Sequence, residues 1–508
     1  MIALHKKAPR GPRSSGPVRR SATLPDSVLS ETYIPPFPPR PAEPLSTLEI
    51  LRRSRHNFIT IWEDKAFQYQ TMVTRVLARQ VVICNSPDTV QQAFVNANDA
   101  FERKSPQMRE TLRPLVGDGL FVSDGAIWKT RRRIVAPIIH GQHLPTFAPV
   151  MVELAAEMAN RWAALPPGSN IDVLGEMAEL TAGVICRTIF GPSLSRESAR
   201  AIIDGFSQYQ RQIDVVNLLS FAGFPDIPNL FSGLRVRRHV RKIVNALDTV
   251  IAGARARHEQ DENSLVGMLL NAKDTDGKQL SHDAVRNEAA VIFMAGHETT
   301  ANTLAWAWFL LSQAGWAADK LHEELDRVLG GRAPNLKDVP DLIYTRAVID
   351  ETLRLYPPIP LLTRQASRPE KIRSRQVEKG AIVAVIPWLL HRHRLYWDKP
   401  DHFMPERFLP GAPPIDRYTY VPFSIGPRVC AGLQFGLTEA VLCLATLAQS
   451  FRLDLAPGAK VEPVSRLSLR PGETLPMLLY PRAPLPRPIP AAVADATPAA
   501  GSCPFGHG

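Results

Sequence analysis

Cysteine is scarce in this sequence of 508 residues, and its spacing follows no pairing pattern. The five cysteines are spread along the chain, and no two of them form a Cys-x-x-Cys pair. A disulfide framework needs several closely spaced cysteines, and structural zinc sites mostly use such pairs. The sequence therefore excludes a disulfide-stapled protein and a zinc cage, and it favours a reducing compartment.

Long apolar runs are also missing. A helix that spans a bilayer needs about 20 predominantly apolar residues in a row, and no segment of this chain offers them. The apolar start Met1–Leu4 is followed at once by His5, Lys6 and Lys7, so it is too short for a secretory signal. We therefore expect a soluble protein of the cytoplasm with no membrane span.

Positive charge is concentrated at one end of the chain. The formal net charge is +11, and residues 1–60 hold ten Lys or Arg against four Asp or Glu, so that +6 lies there and only +5 elsewhere. No basic stripe interleaved with aromatic residues follows, which argues against a nucleic-acid partner. We interpret the basic end as a solubilising tail, with contact to acidic lipid or to a protein as the alternative.

Proline marks both ends. Residues 1–44 contain ten prolines, and residues 481–508 begin with another dense run of them. Such composition favours extended, mostly disordered chain. The folded body is therefore expected at 45–480, as a single large domain, because no internal repeat or linker divides it.

The body is predicted to be mainly α, a large helical domain with small peripheral β-sheets. Periodic or long apolar stretches predict helices, and short runs rich in β-branched residues predict strands. The predicted helices are Glu153–Trp162, Ser195–Phe206, Val236–His258, Asp283–Ala314 and Gly432–Ser450; the predicted strands are Val81–Cys84, Ile382–Ile386 and Met477–Tyr480.

Asp283–Ala314 is the most informative predicted helix. Ser281 is a suitable N-cap, and the middle of the helix is apolar almost all round, which predicts burial. Yet this middle contains Gly296, Glu298 and Thr299. Glycine costs about 1 kcal/mol in a helix, and a buried carboxylate costs more unless it is paired. The interruption indicates either a satisfied polar network or an active site.

A second unusual segment runs from Phe423 to Gly432, with the sequence Phe-Ser-Ile-Gly-Pro-Arg-Val-Cys-Ala-Gly. Gly426 permits a tight turn, and Gly432 permits close approach to a flat partner. Cys430 stands just before a helix, whose N-terminal N–H groups are expected to lower the thiol pKa. By itself, a cysteine in this position is more often a core residue than a metal ligand.

The segment resembles the haem-thiolate signature F-x-x-G-x-R-x-C-x-G of the cytochrome P-450 family at every defined position. Four further motifs similar to those of the family follow the family's order over about 300 residues, which chance does not explain, and the resemblance covers 45–480. These motifs are Trp128-x-x-x-Arg132, Ala295-Gly-His-Glu-Thr-Thr300, Glu351-x-x-Arg354 and Pro405-Glu-Arg-Phe408.

The resemblance implies haem b as the cofactor and Cys430 as the metal ligand on the proximal side. A thiolate ligand pushes electron density towards the iron and favours O–O cleavage. Forked arginine donors suit the haem propionates. The residues that match cofactor-binding positions are Trp128, Arg132, Arg364, Phe423, Arg428 and Gly432.

Glu298 and Thr299 match the acid-alcohol pair of the family and are the implied catalytic residues. Dioxygen activation needs two protons delivered to a site that is otherwise dry. The hydroxyl of Thr299 can bond the carbonyl of Ala295, four residues earlier, and open a local bulge in the helix.

Glu351 and Arg354 stand three residues apart, hence on one helix face, where they can form a bidentate pair. The resemblance adds Arg407 and implies a structural triad that holds the cysteine loop in place. An ordinary surface ion pair is the alternative.

The pocket above the haem is predicted to be apolar, which indicates a lipophilic small-molecule substrate such as a fatty acid, a terpenoid or an aromatic compound. The pocket residues are Val291, Met294 and Ala295 on the central helix, together with Leu362. The access side is assigned to Phe101–Ile127, 205–234 and Pro357–Leu362.

No flavin- or nicotinamide-binding unit follows the haem domain, so electrons are expected from a separate ferredoxin or flavodoxin with its reductase. Lys129, Arg131 and Arg133 are predicted to form a basic face for that partner. The favoured function is a monooxygenase that uses dioxygen. A peroxide-using or isomerising haem-thiolate enzyme and a non-catalytic haem sensor are the alternatives, and the pair Glu298–Thr299 favours the monooxygenase.

Overall fold

The computed structural model describes residues 32–482, apart from 77, 192–201, 204, 207–208, 210–232, 257–263 and 275. Several predictions fall outside these described residues. They are the basic arm from 1 to 31, the tail from 483, most of the helix Ser195–Phe206 and most of the access region 205–234.

Helices make up most of the described chain. The α-helices are Thr47–His56, Pro87–Gln91, Asn98–Phe101, Pro106–Val116, Gly125–Ile139, Leu144–Ala163, Val173–Phe190, Gly233–Ala256, Leu265–Asn271, His282–Gln313, Gly315–Leu329, Ile343–Leu355, Pro387–Leu390 and Leu433–Ala448. Single turns of 3-10 helix include Pro405–Phe408 and Gly426–Arg428. Among the described residues, none of the helices has both the length and the apolar character needed to span a bilayer.

The strands are short and form small sheets. A five-stranded sheet has the order β1-β2-β8-β5-β3, and a three-stranded sheet has the order β4-β12-β9. Two-stranded sheets pair β6 with β7 and β10 with β11. The strands are β1 Thr71–Val76, β2 Arg79–Cys84, β3 Arg103–Lys104, β4 Ser169–Asp172, β5 Leu362–Gln365, β6 Glu370–Ile372, β7 Arg375–Val377, β8 Ile382–Val385, β9 Phe451–Leu455, β10 Val464–Ser465, β11 Leu469–Arg470 and β12 Pro476–Pro481.

This architecture confirms the predicted class, a mainly α domain with small sheets. The predicted strands correspond to β2, β8 and β12, although Ile386 lies just past the end of β8, and the predicted helix Glu153–Trp162 is the second half of Leu144–Ala163. The first half was not predicted and contains two prolines: Pro145 stands in the first turn, where a helix tolerates proline, and Pro149 lies inside the helix.

The central helix, His282–Gln313, positions the functional site. Its 32 residues span about 48 Å at 1.5 Å per residue. Ser281 caps it as predicted, because its hydroxyl accepts a hydrogen bond from the backbone N–H of Ala284 at 3.2 Å. A Cβ on Gly296 would lie only 2.7 Å from Cδ1 of Ile185. Glycine at this position therefore lets helix Val173–Phe190 pack directly against the central helix.

The predicted boundary of the N-terminal arm at residue 44 is too late. Tyr33 forms a β-bridge with Phe403, and the carbonyl of Pro36 accepts a hydrogen bond from the Tyr356 hydroxyl at 2.6 Å. Arg40 pairs with Asp401 at 2.7 Å. Proline favours extended chain but does not prevent packing through carbonyls and side chains, so residues 33–40 belong to the folded body.

Candidate functional site

Cys430 lies in a tight loop just before helix Leu433–Ala448. Gly426 has φ of +76°, and a Cβ there would lie 2.2 Å from the carbonyl oxygen of Phe94, so only glycine fits. The Cys430 backbone N–H donates to the carbonyl of Phe423 at 2.9 Å. The backbone N–H of Gly432 donates to the sulfur of Cys430. These contacts fix the direction of the thiol.

The predicted lowering of the Cys430 pKa is wrong for the protein alone. Burial raises the pKa of this thiol, and the Gly432 N–H, Arg132 and Lys104 offset the burial only in part. By accessible surface, however, the Cys430 side chain is exposed. Cys430 therefore combines dense surroundings with an accessible surface, and a metal ion bound to its thiol would deprotonate it outright.

Gly432 contributes through its N–H group. A Cβ there would meet no protein atom closer than 3.9 Å, so packing within the protein does not demand glycine. The predicted close approach of a flat partner at this position therefore stays a prediction.

The central helix carries Thr299 and Glu298 as predicted, but its backbone differs from the prediction. The Thr299 hydroxyl donates to the Ala295 carbonyl at 2.7 Å. The helix nevertheless remains α-helical from His282 to Gln313, so the predicted local bulge is not present. Ala295 is exposed although most of the central helix is buried, so the helix presents an open surface at this turn.

The carboxylate of Glu298 is held by neighbouring side chains. Its Oε1 accepts a hydrogen bond from the Ser468 hydroxyl at 2.6 Å and lies 3.4 Å from Nη2 of Arg470. The Ser468 hydroxyl also accepts a hydrogen bond from Nδ2 of Asn302. The carboxylate is therefore held between the central helix and strand β11 with its charge compensated.

Four cationic side chains converge beside Cys430. The guanidinium of Arg428 donates to the carbonyl of Ser123 at 2.8 Å and stacks 4.3 Å from the ring centre of the buried Trp128, while its Nε has no partner. Burial is the main cause that lowers the pKa of Arg364 and of Arg428, and a neighbouring guanidinium adds to it in each case, although Glu102 and Asp124 oppose the lowering at Arg428. Within the described residues, no carboxylate lies within 4.0 Å of the charged groups of this cluster, which consists of Lys104, Arg132, Arg364 and Arg428.

Lys104 is the member of this cluster that sequence reasoning missed. It lies directly opposite Arg364 in the antiparallel pair of β3 and β5, so the two side chains occupy the same face of the sheet. Its ammonium stands 4.5 Å from the ring centre of Phe121. Burial, Arg364 and Arg428 lower the pKa of Lys104 well below its usual range, whereas Cys430 opposes this. A lysine in a two-residue strand carries no sequence signal for such a role.

These features fit a flat, dianionic group that binds a thiolate. Uncompensated buried cations are costly unless an anion completes them. Two carboxylates placed among the four cations would compensate their charge, and the thiol of Cys430 would supply a metal ligand. The chemistry of the donor set is therefore that of a haem with two propionates.

The predicted triad forms one buried network. Arg354 donates to Glu351 through Nε at 2.7 Å and through Nη2 at 2.8 Å, and Nε of Arg407 lies 3.3 Å from Glu351. Arg354 also donates to the carbonyls of His391, Pro400 and His402. Glu351 and Arg354 are completely buried, which rules out the alternative of a surface ion pair.

His391 links this network to the cysteine loop. Its Nε2 accepts a hydrogen bond from the backbone N–H of Val421 at 2.9 Å, so the ring is neutral and carries its proton on Nδ1. Burial, with Arg354 second, lowers the His391 pKa to about 3. No group of three or more potential metal ligands among His, Cys, Asp and Glu occurs in the described part of the chain.

The predicted pocket residues differ in exposure. Val291 and Met294 are buried, Leu362 is half-buried, and Ala295 is the member that faces open space. Gly119 packs against Val291, because a Cβ on Gly119 would lie 2.6 Å from Cγ2 of Val291. The apolar surface at the central helix therefore begins at Ala295 and is closed off at Val291 by the chain around Gly119.

Arg131 does not belong to the predicted basic face of helix Gly125–Ile139. Lys129 and Arg133 are exposed on helix Gly125–Ile139. The side chain of Arg131 is only 11% exposed and turns inward, where its Nε lies 3.4 Å from Oε1 of Glu288. The sequence predicts an outward Arg131 from the alternation of basic residues, but this position lies on the side of the helix that faces the core.

A sequence model of the cytochrome P-450 family matches residues 36–477 of the chain. Because this match covers most of the sequence, the chain belongs to the cytochrome P-450 family. It is a haem-dependent oxidoreductase of the monooxygenase type, and its cofactor is iron protoporphyrin IX.

Curated relatives agree with this assignment. The chain is 34% identical over 407 residues to cyclooctatin synthase of Streptomyces melanosporofaciens, a match that covers 78% of this chain and 86% of that protein. It is 30% identical over 414 residues to cyclooctat-9-en-7-ol 5-monooxygenase of the same organism, covering 80% and 86%. A crystal structure of a cytochrome P-450DA heme domain has a TM-score of 0.73 at 24% identity, covering 89% and 99%, and shows the same fold.

Proposed function

We propose that this enzyme inserts one oxygen atom from dioxygen into a hydrocarbon-rich cyclic substrate, such as a cyclic alkene alcohol. The observation that carries the proposal is the exposure of Ala295 within an apolar stretch of the central helix, in a protein whose Cys430 is also exposed. The relative named for oxidation of cyclooctat-9-en-7-ol supports the cyclic class over an unbranched fatty acid.

The chain's own residues have separate tasks in this reaction. When bound, haem supplies the iron at which dioxygen is reduced. Cys430 would ligate that iron, and Lys104, Arg132, Arg364 and Arg428 would hold the propionates. The apolar side chains around Ala295 exclude water, which strengthens the electrostatic interactions at the site.

Two residues of the central helix handle protons. Thr299 keeps its hydroxyl at the open turn through its bond to the Ala295 carbonyl. Glu298, which is 12% exposed and bonded to Ser468, replenishes protons from the side of β11. The triad of Glu351, Arg354 and Arg407 holds the cysteine loop through His391.

Spectral titration of the ferric protein tests the substrate class. Cyclic alkene alcohols are expected to shift the haem band towards high spin, whereas short-chain fatty acids and charged compounds are not. Ala295→Phe is the matched variant, since it fills the open turn without adding charge, and it should abolish the shift. A shift with charged compounds alone would contradict the proposal.

The ferrous carbonyl spectrum tests the ligand. The wild type should show the red-shifted band of thiolate coordination, and Cys430→Ser should lose it. The same band in both proteins would overturn the assignment of Cys430.

We further propose that a separate ferredoxin or flavodoxin, with its reductase, supplies the electrons. Lys129 and Arg133 are exposed on the helix whose inner side carries Trp128 and Arg132, so an acidic protein docked there would approach the cofactor. Reduction should slow severalfold between about 50 and 500 mM salt, because screening shortens the reach of the charges. Lys129→Gln with Arg133→Gln should flatten this dependence, and Lys371→Gln, at an exposed position of β6, should not.

Salt-independent reduction would contradict the basic docking face. Turnover with hydrogen peroxide but not with reduced nicotinamide cofactor and redox proteins would favour the peroxide-using alternative.

A further inference from the structure

The loop of residues 117–123 is pressed against the central helix. A Cβ on Gly117, whose φ is +54°, would lie 2.3 Å from Nδ2 of Asn287, and a Cβ on Gly119 would lie 3.1 Å from the Asn287 carbonyl. Nδ2 of Asn287 also donates to Oδ1 of Asp118 at 2.9 Å. Because Gly119 contacts Val291, the position of this loop decides how the apolar surface near Ala295 is closed.

Glu288 is the charged group at this junction. Its side chain is completely buried on the central helix, one turn before Val291. Both carboxylate oxygens accept from the backbone N–H of Leu120, at 3.0 and 3.1 Å. A buried carboxylate aimed at a loop N–H is costly unless it is compensated, and such a costly group needs a reason to be there.

Arg131 supplies the compensation. Its Nε lies 3.4 Å from Glu288, and its Nη2 lies 3.6 Å from Asp118. One arginine therefore joins the central helix, the loop and helix Gly125–Ile139. Besides Arg131, the charged group that acts on Glu288 is Asp118. Helix Leu265–Asn271, which packs on both neighbouring helices, contains no titratable side chain.

We propose that Glu288 is a positioning residue, whose carboxylate locks the 117–123 loop onto the central helix and so sets the shape of the substrate site. This inference deepens the proposed function and rests on it. The loop also places Phe121 beside Lys104 and gives the Ser123 carbonyl to Arg428, so the lock reaches both the apolar and the cationic sides of the site.

Ionisation of Glu288 provides a second signature. Burial raises its pKa to about 7, against the opposing effects of the Leu120 N–H and Arg131. A neutral carboxyl still accepts from Leu120 but loses the ion pair with Arg131. The loop should therefore be held more loosely at pH 6 than at pH 8.

Hydrogen–deuterium exchange of the full-length holoenzyme tests the lock directly. Glu288→Ala should speed exchange at Leu120 at least about tenfold, since a buried hydrogen bond to a charged group is lost. Asp283→Asn is the control, because Asp283 lies on the same helix with its ion pair to Arg286 at the surface. Unchanged exchange at Leu120 in Glu288→Ala would overturn the proposal.

Glu288→Gln keeps the test valid if the alanine variant does not fold. Leu120 should then be protected equally at pH 6 and pH 8 after correction for intrinsic rates, whereas the wild type should lose protection at pH 6. Equal pH profiles of the two proteins would contradict the lock.

The affinity of n-butyl isocyanide, a haem ligand that does not titrate, tests whether the contact of Glu288 with the 117–123 loop changes the shape of the substrate site. Its dissociation constant should change by about two- to fivefold between pH 6 and pH 8 in the wild type and stay constant in Glu288→Gln. An identical pH profile in both would show that the loop does not shape the site. A ferrous carbonyl band without the thiolate shift would instead refute the proposed function, and the exchange at Leu120 would still report on the lock.

Discussion

Two arginine-rich clusters flank the cysteine loop, and they differ in how their charge is balanced. In the triad, Arg354 and Arg407 share the buried carboxylate of Glu351 and give their remaining N–H groups mostly to backbone carbonyls. The cluster of Lys104, Arg132, Arg364 and Arg428 has no carboxylate among the described residues at ion-pair distance, and Nε of Arg428 is unpartnered.

This difference separates structure from binding. A buried ion network that satisfies itself contributes to the fold with or without a ligand. A cluster of one sign in which Arg364 and Arg428 are buried and the other two cations half-buried opposes folding until an anion arrives, so it is expected to act through the ligand. The comparison therefore predicts opposite responses to charge removal in the two clusters.

Removing the carboxylate of the triad should have the largest effect. Glu351→Ala leaves two buried guanidinium groups unpaired and should lower the free energy of unfolding by about 3–5 kcal/mol, in apoprotein and holoprotein alike. Urea denaturation of both forms measures this effect.

Glu378→Ala is the matched control, because the pair Arg75–Glu378 is equally short but more than half exposed. Its loss should cost about 0–1 kcal/mol. Similar losses for Glu351→Ala and Glu378→Ala would mean that the triad is not a structural network.

The second prediction concerns the unbalanced cluster. Arg364→Met or Arg428→Met should speed haem release to apomyoglobin by about ten- to a hundredfold, since each removes a charge-assisted contact worth about 1.5–3 kcal/mol. Neither should destabilise the apoprotein comparably. Arg375→Met, at an exposed position of β7, should leave haem release unchanged. If Arg364→Met or Arg428→Met lowered apoprotein stability as much as Glu351→Ala, the two clusters would not differ.

Local motifs made the triad and the cysteine loop predictable. The spacing of Glu351 and Arg354 places them on one helix face, and glycine at 426 is demanded by backbone geometry that sequence alone can indicate. The position of Lys104 depends on pairing β3 with β5 across about 260 residues, and the inward turn of Arg131 depends on Glu288 of a distant helix. Such long-range juxtapositions leave no periodic signal in one sequence.

The third prediction uses the histidine that joins the triad to the cysteine loop. His391 stays neutral in the fold, with its pKa lowered to about 3, whereas an unfolded histidine titrates near 6.5. The unfolded chain binds the extra proton below pH 6.5, so stability should fall on acidification by about 1.4 kcal/mol per pH unit from this group.

His391→Gln keeps an acceptor for the Val421 N–H but does not titrate. Unfolding by urea at pH 7, 6 and 5 should show a slope shallower by one proton in this variant. Equal slopes would remove His391 from the acid response.

The smallest effect is expected for Lys104. Its replacement should make the apoprotein more stable but make the holoprotein lose haem faster. Burial, and then repulsion from Arg364 and Arg428, lower its pKa in the fold, so the unfolded chain binds the proton more readily at neutral pH, and the charge opposes folding of the apoprotein. Lys104→Met should therefore stabilise the apoprotein at pH 7.

The same variant should release haem about three- to tenfold faster, because one cation facing a propionate is gone. Lys379→Met, at an exposed turn, should change neither quantity. If Lys104→Met lowers apoprotein stability, Lys104 belongs with the self-satisfied triad rather than with the ligand-dependent cluster.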